Sequence, residues 1–252
     1  MPSSNSQQSA AIVTGHSRGL GEAIATHLLA QGIRVLGISR RGNDALARRF
    51  PDALREAKLD LSDTSELADW LASEALGEYL SGATMPLLVN NAGMIEPMGA
   101  PQLQELDLIS RTVAVNVAAV LMLTAAFTRA TTSAMERRVL QISSGAGRTP
   151  RAGWSVYCST KAALDHHARC VALDAPPGLR ISSVAPGLVD TAMQAEIRAT
   201  TDERFPDRHR FVTRHRDNEI PAADSVGGKL VAYLLSNAFG AEPVFDLSDF
   251  KS

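Results

Sequence analysis

Residues Ala10–Gly21 read A-A-I-V-T-G-H-S-R-G-L-G, a short apolar run followed by a turn that contains Gly15, Gly19 and Gly21. Glycines permit a tight turn and let backbone N–H groups approach a phosphate, and the N-terminus of a following helix favours an anion. Glycines alone are a weak signal, because any strand-to-helix turn can hold them. Their position after the first predicted strand of a βαβ unit strengthens the signal. The segment therefore predicts a phosphate-binding turn at the start of an α/β domain.

Outward from this turn, short apolar runs alternate with longer helical patterns. The predicted strands are Ala10–Thr14, Arg34–Ser39, Ala53–Leu59, Pro86–Asn90, Arg138–Ser143, Arg180–Ala185 and a last one near Pro243–Leu247. The predicted helices are Leu20–Gln31, a short charged helix ending near Phe50, Ser65–Leu80, Leu103–Ala130, Ser155–Ala172 and Ala222–Leu235. This order predicts an α/β fold, a doubly wound parallel sheet with helices on both faces.

The chain shows no linker or repeat, so we expect a flexible polar tail over 1–9 and a single domain over 10–252. Residues 194–218 are rich in Arg, Asp and Thr without a clear period, and they form either a substrate lid or a solvated insertion. The apolar stretch Val113–Phe127 is too short to span a bilayer and is interpreted as a buried helix.

Composition excludes several classes of partner. The net charge of -2 gives no reason to expect nucleic acid or an anionic membrane. The two cysteines, Cys158 and Cys170, cannot form a disulfide scaffold, which suits a cytoplasmic protein. No metal site is expected, because His166 and His167 point in different directions on a helix and no further ligand set accompanies them.

The second predicted strand ends in Ile38-Ser39-Arg40-Arg41. A domain that binds NAD usually places an acidic residue there for the adenosine ribose, and none is present. A guanidinium can bind a 2′-phosphate through two hydrogen bonds, and Arg18 is a second candidate for that contact. The alternative is that Arg40 and Arg41 are solvated loop charges. We favour NADP(H).

Tyr157 and Lys161 lie four residues apart on a predicted helix and therefore share one face. A free tyrosine has a pKa of ~10, and a neighbouring ammonium group is expected to lower the pKa. Such a tyrosine can exchange a proton with an alcohol or alkoxide. The alternative is an amphipathic helix with a half-buried Tyr and a Lys whose ammonium group reaches solvent.

Together these motifs resemble the short-chain dehydrogenase/reductase family. The matching features, from Ala10 to about Leu247, are T-G-x-x-x-G-x-G from Thr14, N-N-A-G at 90–93, Asn116, Ser144 thirteen residues before the tyrosine, Y-x-x-x-K and P-G at 186–187. His16 stands where the family commonly has a small residue, and we expect it to fill space rather than to contact the cofactor. The resemblance implies a Rossmann-type fold. The segment 185–194 is similar to the sepiapterin reductase and benzil reductase branch, as is the ending at 244–247.

The resemblance also implies roles for individual residues. The expected catalytic residues are Asn116, Ser144, Tyr157 and Lys161. In the family this asparagine holds a water molecule that links the lysine to solvent, and the alternative for Asn116 is a buried amide that bonds the backbone. Tyr157 and Lys161 are also expected to contact the cofactor, together with Gly15, Ser17, Arg18, Gly19, Leu20, Gly21, Arg40, Arg41, Asp60, Leu61, Asn90, Ala92, Gly93, Pro186, Gly187, Val189 and Thr191.

The resulting functional hypothesis is an NADP(H)-dependent oxidoreductase that interconverts a carbonyl compound and an alcohol. The alternative is a sensor or scaffold protein that binds NADP(H) without turnover, although such relatives usually lose the tyrosine or the lysine. A longer-chain epimerase or dehydratase ranks last. The resemblance implies a homodimer or homotetramer. Trp154 is expected either in the substrate pocket or in the core.

Overall fold

The strands are short, and the five inner ones are largely buried, as strands covered on both faces require, whereas the two edge strands are more exposed. In the computed structural model, which describes residues 9–251, they form one seven-stranded parallel sheet. The strands are β1 (Ser9–Thr14), β2 (Arg34–Ser39), β3 (Leu54–Lys58), β4 (Met85–Asn90), β5 (Arg137–Ile142), β6 (Leu179–Ala185) and β7 (Val244–Asp246). Their spatial order is β3-β2-β1-β4-β5-β6-β7. The predicted doubly wound parallel sheet is confirmed.

Helices cover both faces of this sheet. They are α1 (Gly19–Ala30), α2 (Asp44–Arg49), α3 (Thr64–Ala72), α4 (Ala75–Leu80), α5 (Leu106–Val113), α6 (Ala119–Ala130), α7 (Ser155–Asp174), α8 (Ala192–Ala199), α9 (Arg208–Arg216) and α10 (Ala223–Leu235). One apolar cluster joins α1 and α10 to the sheet, and a second joins α3, α4, α6 and α7 to its other face.

Two predicted boundaries need correction. The predicted tail falls largely on residues 1–8, which lie outside the described residues, whereas Ser9 already pairs in β1. The single helix predicted over 65–80 is two helices, α3 and α4. Ser73 interrupts them with an extended backbone, and its hydroxyl donates a hydrogen bond of 2.6 Å to the carbonyl of Trp70. A serine that bonds the preceding turn competes with helix continuation.

The helix expected to be buried has an exposed face as well. α5, a π-helical turn over Ala114–Ala118 and α6 run on as one helix, Leu106–Ala130. By length and composition this helix could cross a membrane, so the expected limit of length does not hold for the helix as a whole. A third of its most apolar stretch is buried. Its buried side chains, such as Leu123 and Phe127, pack on the sheet as those of a core helix do. The helix therefore buries one side against the sheet and exposes the other.

The segment 194–218 is largely helical rather than irregular. It contains most of α8 and all of α9, and its two phenylalanines are buried. Phe205 stacks on Trp154 with 4.4 Å between ring centroids, and Phe211 packs against the same indole at 5.6 Å. These buried rings anchor the segment to the start of α7, beside Tyr157.

The close contact of α1 with α10 depends on Gly227. A Cβ at this position would lie 2.7 Å from Ala23 Cβ and 3.1 Å from the Ala23 carbonyl carbon. Neither neighbour can move away, because Ala23 is buried within α1. A glycine is therefore needed where these two helices meet.

We predict that Gly227→Ala lowers the free energy of unfolding by ~1–3 kcal/mol, because an added methyl group overpacks the contact. Chemical denaturation followed by circular dichroism measures the effect. Gly77→Ala is the matched control, since a Cβ at Gly77 in α4 meets no heavy atom within 4 Å. That variant should be neutral or more stable by up to about 1 kcal/mol. Equal stability of the two variants would contradict this account of the α1–α10 contact.

Candidate active site

The carboxyl ends of the parallel strands open into one cavity of about 930 Å³, the size of a small-molecule or cofactor site. The cavity runs from the loop after β2, across the glycine-rich turn, to the start of α7 and the α8–α9 segment. Strand order reverses between β1 and β4, which is where doubly wound sheets bind ligands. Nearly all of the predicted site residues line this cavity. Those that do not are Asn90 and Asn116.

The glycine-rich turn is built for close backbone approach. Gly15 has a φ of +70° and its N–H donates to the Ile38 carbonyl at 2.8 Å. A Cβ at Gly21 would lie 2.2 Å from the Gly15 carbonyl oxygen, so only glycine lets α1 begin against the turn. The exposed amide edge of such a turn fits a pyrophosphate. The geometry of this turn therefore fits a dinucleotide cofactor.

The end of β4 corrects one prediction. Asn90 is buried, and its amide donates to the Thr124 hydroxyl at 3.3 Å, on the side away from the cavity. Asn91 lines the cavity instead, and its amide donates to the Thr14 carbonyl at 3.0 Å. Because successive strand residues point to opposite faces, only one of the two asparagines can face the turn. The alternation of side chains between the two faces along β4 could have indicated that Asn91, and not Asn90, faces the turn.

Arginines dominate the end of the cavity beside β2 and β3. Arg18, Arg40 and Arg41 line it, and within residues 9–251 none of them forms an ion pair. The hydrogen bonds from Ser62 to Asp60, together with the charges of Arg40 and Arg111, hold the pKa of that carboxyl below its usual value. Arg111 of α5 also lines the cavity, and no motif in the sequence marks it.

Tyr157, Lys161 and Ser144 come together at the opposite end of the cavity. Tyr157 and Lys161 are buried on one face of α7, and the Lys161 ammonium lies 5.6 Å from the centroid of the tyrosine ring. The Lys161 ammonium donates to the Ile142 carbonyl at 2.7 Å. The Ser144 hydroxyl caps the short turn after β5 by accepting from Ala146 N at 3.2 Å. Ser143 also lines the cavity, although its hydroxyl is buried.

Asn116 lies behind this group rather than on the cavity wall. Its side chain accepts from Met94 N and donates to Met94 O, each at 2.8 Å, and also donates to the Thr160 hydroxyl at 3.1 Å. A Cβ at Gly93 would lie 3.5 Å from Asn116 Oδ1 and 3.7 Å from Lys161 Nζ. Asn116 therefore bonds the backbone and also lies near the lysine, with Gly93 between them.

Apolar side chains form the wall beside Tyr157. Trp154 is buried and also lines the cavity, so both expectations for it hold. Ile95, Leu188, Met193 and Phe211 complete this wall, while the P-G loop contributes Pro186, Gly187, Val189 and Thr191. Arg210 and Arg214 of α9 are exposed and line the cavity mouth. The α8–α9 segment thus borders the site.

Comparison with known proteins agrees with this geometry. The family model described as short chain dehydrogenase matches residues 9–202. The chain belongs to the short-chain dehydrogenase/reductase family. It is 36% identical over 222 residues to a benzil reductase ((S)-benzoin forming) of Bacillus cereus, covering 85% of this chain and 89% of that protein. It is 29% identical over 255 residues to the sepiapterin reductase of Rattus norvegicus, covering 94% and 95%.

A solved structure is similar as well. A short-chain dehydrogenase/reductase from Burkholderia vietnamiensis is 48% identical, with a TM-score of 0.71 and coverage of 98% of this chain and 100% of that one. The resemblance to the benzil and sepiapterin reductase branch is therefore confirmed, and the protein is an oxidoreductase of this family.

Electrostatics in this short-chain dehydrogenase differ from the sequence expectation. Burial raises the pKa of Tyr157 to about 12, although a hydrogen bond with Ser144 opposes the rise. Burial lowers the pKa of Lys161 to about 8, although the negative charge of Asp165 opposes the fall. The predicted lowering of the tyrosine pKa was wrong, because both groups are buried and loss of hydration disfavours both charged forms. Tyr157 is therefore a neutral phenol near pH 7.

We predict that Tyr157 stays protonated well above pH 10, the ordinary pKa of tyrosine. An ultraviolet titration of the protein, minus that of Tyr157→Phe, isolates the phenolate signal of this residue. The difference should stay flat up to pH 10, because burial disfavours the phenolate. A transition below pH 9 would show that the ammonium group, rather than burial, controls this tyrosine.

Proposed function

We propose that this short-chain dehydrogenase is an NADPH-dependent carbonyl reductase whose substrates are aromatic ketones, aldehydes or diketones. One observation carries the proposal: a phenol, a hydroxyl and a buried ammonium group share one cavity with a glycine-rich turn and with arginines that form no ion pair in the part of the chain that the structure describes. These groups fit a dinucleotide at one end and a reacting carbonyl group at the other.

The chain's own residues supply the proton chemistry. When bound, a nicotinamide cofactor supplies a hydride to the carbonyl carbon. The Ser144 hydroxyl would donate a hydrogen bond to the carbonyl oxygen and stabilise the negative charge that develops there. The Tyr157 phenol would transfer its proton to the same oxygen, completing the alcohol. A neutral phenol suits the direction of reduction, because it enters the reaction already holding the proton.

Lys161 would act beside the tyrosine. Its ammonium already donates one hydrogen bond, to Ile142 O, and keeps two further N–H groups for the ribose hydroxyls that the family resemblance implies. Its positive charge would also stabilise the phenolate left by proton transfer. Asn116 would maintain this arrangement by holding the Met94 backbone and Thr160.

The cofactor would lie along the turn. Its pyrophosphate would rest on Gly15, Gly19 and Gly21, and its 2′-phosphate would meet Arg18, Arg40 and Arg41. The remaining predicted contacts would hold the adenosine and the nicotinamide, namely Ser17, Leu20, Asp60, Leu61, Ala92, Gly93, Pro186, Gly187, Val189 and Thr191.

The substrate class follows from the apolar wall. Trp154 packs edge-on against the Tyr157 ring, Phe211 packs against Trp154, and both line the cavity. Met193 adds a flexible apolar side chain to the same wall. This wall suits an aromatic or dicarbonyl substrate better than a charged sugar, and the similar protein from Bacillus cereus is a benzil reductase. The segment 194–218 would serve as the lid that excludes water. Its helices border the cavity, and its two phenylalanines pack against Trp154 of the cavity wall.

Assembly and location complete the proposal. Leu106, Val113 and Leu121 are exposed apolar residues on the α5–α6 helix, with exposures of 82%, 43% and 37%. Such a surface suits contact with a second copy, and we propose a homodimer or homotetramer. Both cysteines are free thiols, which suits the cytoplasm.

We predict that Tyr157→Phe lowers kcat for benzil reduction by a factor of ~10²–10⁴, because the proton donor is lost. Loss of NADPH absorbance measures turnover, and the quenching of tryptophan fluorescence measures NADPH binding, which should change less than about twofold. Tyr79→Phe is the matched control, since Tyr79 is a buried phenol that does not line the cavity. Absence of turnover with every aromatic carbonyl compound tested would instead favour a non-catalytic NADP(H)-binding protein.

We predict that kcat/KM is higher with NADPH than with NADH. Arg40→Ala combined with Arg41→Ala should reduce this preference by ~10–100-fold, because hydrogen bonds to the charged phosphate are lost. The control is Arg48→Ala combined with Arg49→Ala, which removes two exposed arginines of α2 outside the cavity. Equal kcat/KM for both cofactors in the unmodified enzyme would refute the proposed cofactor.

A further inference from the structure

His16 belongs to the glycine-rich turn but does not line the cavity. It is fully buried, and its ring lies against β2 at Gly37, where a Cβ would come within 2.4 Å of the ring. Its Nε2 lies 2.6 Å from Glu56 Oε1 on β3. The ring therefore connects the turn after β1 with the third strand, across the strand that lies between them.

Glu56 joins a second segment to this contact. The same oxygen, Oε1, accepts a hydrogen bond of 2.6 Å from the backbone N–H of Asn43. Burial raises the pKa of the Glu56 carboxyl, but the hydrogen bonds from His16 and Asn43 outweigh it and leave the pKa below its ordinary value. Glu56 is therefore a carboxylate at neutral pH, and His16 Nε2 donates the hydrogen bond.

Asn43 completes a closed network. Its side-chain amide donates to Glu22 Oε1 at 2.9 Å and to the Ser17 carbonyl at 3.4 Å, and its side-chain oxygen caps α2 by accepting from Leu46 N. Beside Asn43, Gly42 N donates to the Ser39 hydroxyl at 3.2 Å, and this bond joins the two ends of the loop. Hydrogen bonds thus hold the loop on both sides of the two residues that lie between Ser39 and Gly42.

Those two residues are Arg40 and Arg41, whose side chains are exposed at the cavity wall. A loop that must order itself when it binds a ligand loses conformational entropy, and anchoring the loop beforehand reduces that loss. His16 and Glu56 touch the anchor but not the cavity. Their effect on a ligand would therefore pass through the segments that they join, the arginine loop and the glycine-rich turn.

We propose that His16 and Glu56 are positioning residues that hold Arg40 and Arg41 for the 2′-phosphate of the cofactor, and so set the preference for NADPH over NADH. The proposal rests on the cofactor assigned under the proposed function. The glycine-rich turn itself has separate anchors, from Gly15 N to Ile38 O and from Asn91 to Thr14 O. Loss of the His16 ring should therefore spare the pyrophosphate site that both cofactors share.

If Glu56 acted only through its charge, its removal would have a different effect on NADPH binding from the loss of a positioning residue. A carboxylate near a phosphate repels it, so removing the charge would strengthen NADPH binding. In a positioning role, Glu56→Gln keeps an oxygen that accepts from both His16 and Asn43, whereas Glu56→Ala removes the acceptor. The glutamine variant should therefore bind NADPH as the unmodified enzyme does, and the alanine variant should bind it more weakly.

The test measures equilibrium binding without turnover, by the quenching of tryptophan fluorescence for NADPH and NADH and by isothermal titration calorimetry for adenosine 2′,5′-bisphosphate. We expect Glu56→Ala to raise the Kd for NADPH and for the bisphosphate by about tenfold while changing the Kd for NADH less than about twofold. Tighter NADPH binding by Glu56→Gln, or equal weakening of both dinucleotides by Glu56→Ala, would overturn the proposal.

A packing control separates the lost hydrogen bond from a lost side chain. His16→Ala leaves a void over Gly37, and His16→Ala combined with Gly37→Ala places a methyl group in that void. His16→Ala should lower the melting temperature and weaken NADPH binding, because both the ring and its hydrogen bond to Glu56 are lost. The double variant should regain most of the melting temperature but should still bind NADPH weakly, because that hydrogen bond is not restored. NADPH preference restored along with the melting temperature would reduce His16 to a packing residue.

The two proposals fail in different ways. An unmodified enzyme that binds NADPH and NADH equally would refute the cofactor assignment. An unmodified enzyme that prefers NADPH, with that preference unchanged in Glu56→Ala and in the His16–Gly37 double variant, would refute only the positioning role.

Discussion

The hydrogen bonds of Thr14 join the carboxyl ends of β1 and β4, and the whole site depends on this junction. The Thr14 hydroxyl accepts from Asn91 N and Ala92 N at 2.9 and 3.0 Å. These bonds hold the glycine-rich turn against the loop after β4, at the point where the order of strands reverses. With the junction in place, the turn faces one part of the cavity and α7 faces the other. A dinucleotide and its reaction partner can then meet at one edge of the sheet.

Burial is the second constraint, and it governs the chemistry. Water is largely excluded from Tyr157 and Lys161, so each group is driven toward its neutral form. Asp165 opposes this for the lysine, and it is itself held by Arg148 at 3.1 Å and by the Ser183 hydroxyl at 2.7 Å. The buried acid thus links the packing of α7 on β6 to the charge of the lysine. A tyrosine that retains its proton suits reduction of a carbonyl group.

Much of the fold could be predicted because the signals were local. The alternation of apolar strands and amphipathic helices implied the sheet, and motifs at strand ends implied the shared cavity. Errors arose where the decisive contact was distant in sequence. Phe205 and Phe211 gave no period in 194–218, because their partner is Trp154, some fifty residues earlier. Asn90 was preferred to Asn91 because the motif contains both and only the strand's orientation separates them.

The sequence by itself determined the class of fold, the family and the residue types that carry the chemistry. Strand and helix periods, the glycine spacing and the Tyr–Lys spacing are all short-range properties of the chain. The tertiary structure alone decided the upward shift of the Tyr157 pKa, the place of Arg111 on the cavity wall and the partnership of His16 with Glu56. Each of these depends on burial or on contacts between segments far apart in the chain. The hydration that a group loses on folding depends on all of its neighbours, and no local pattern records them.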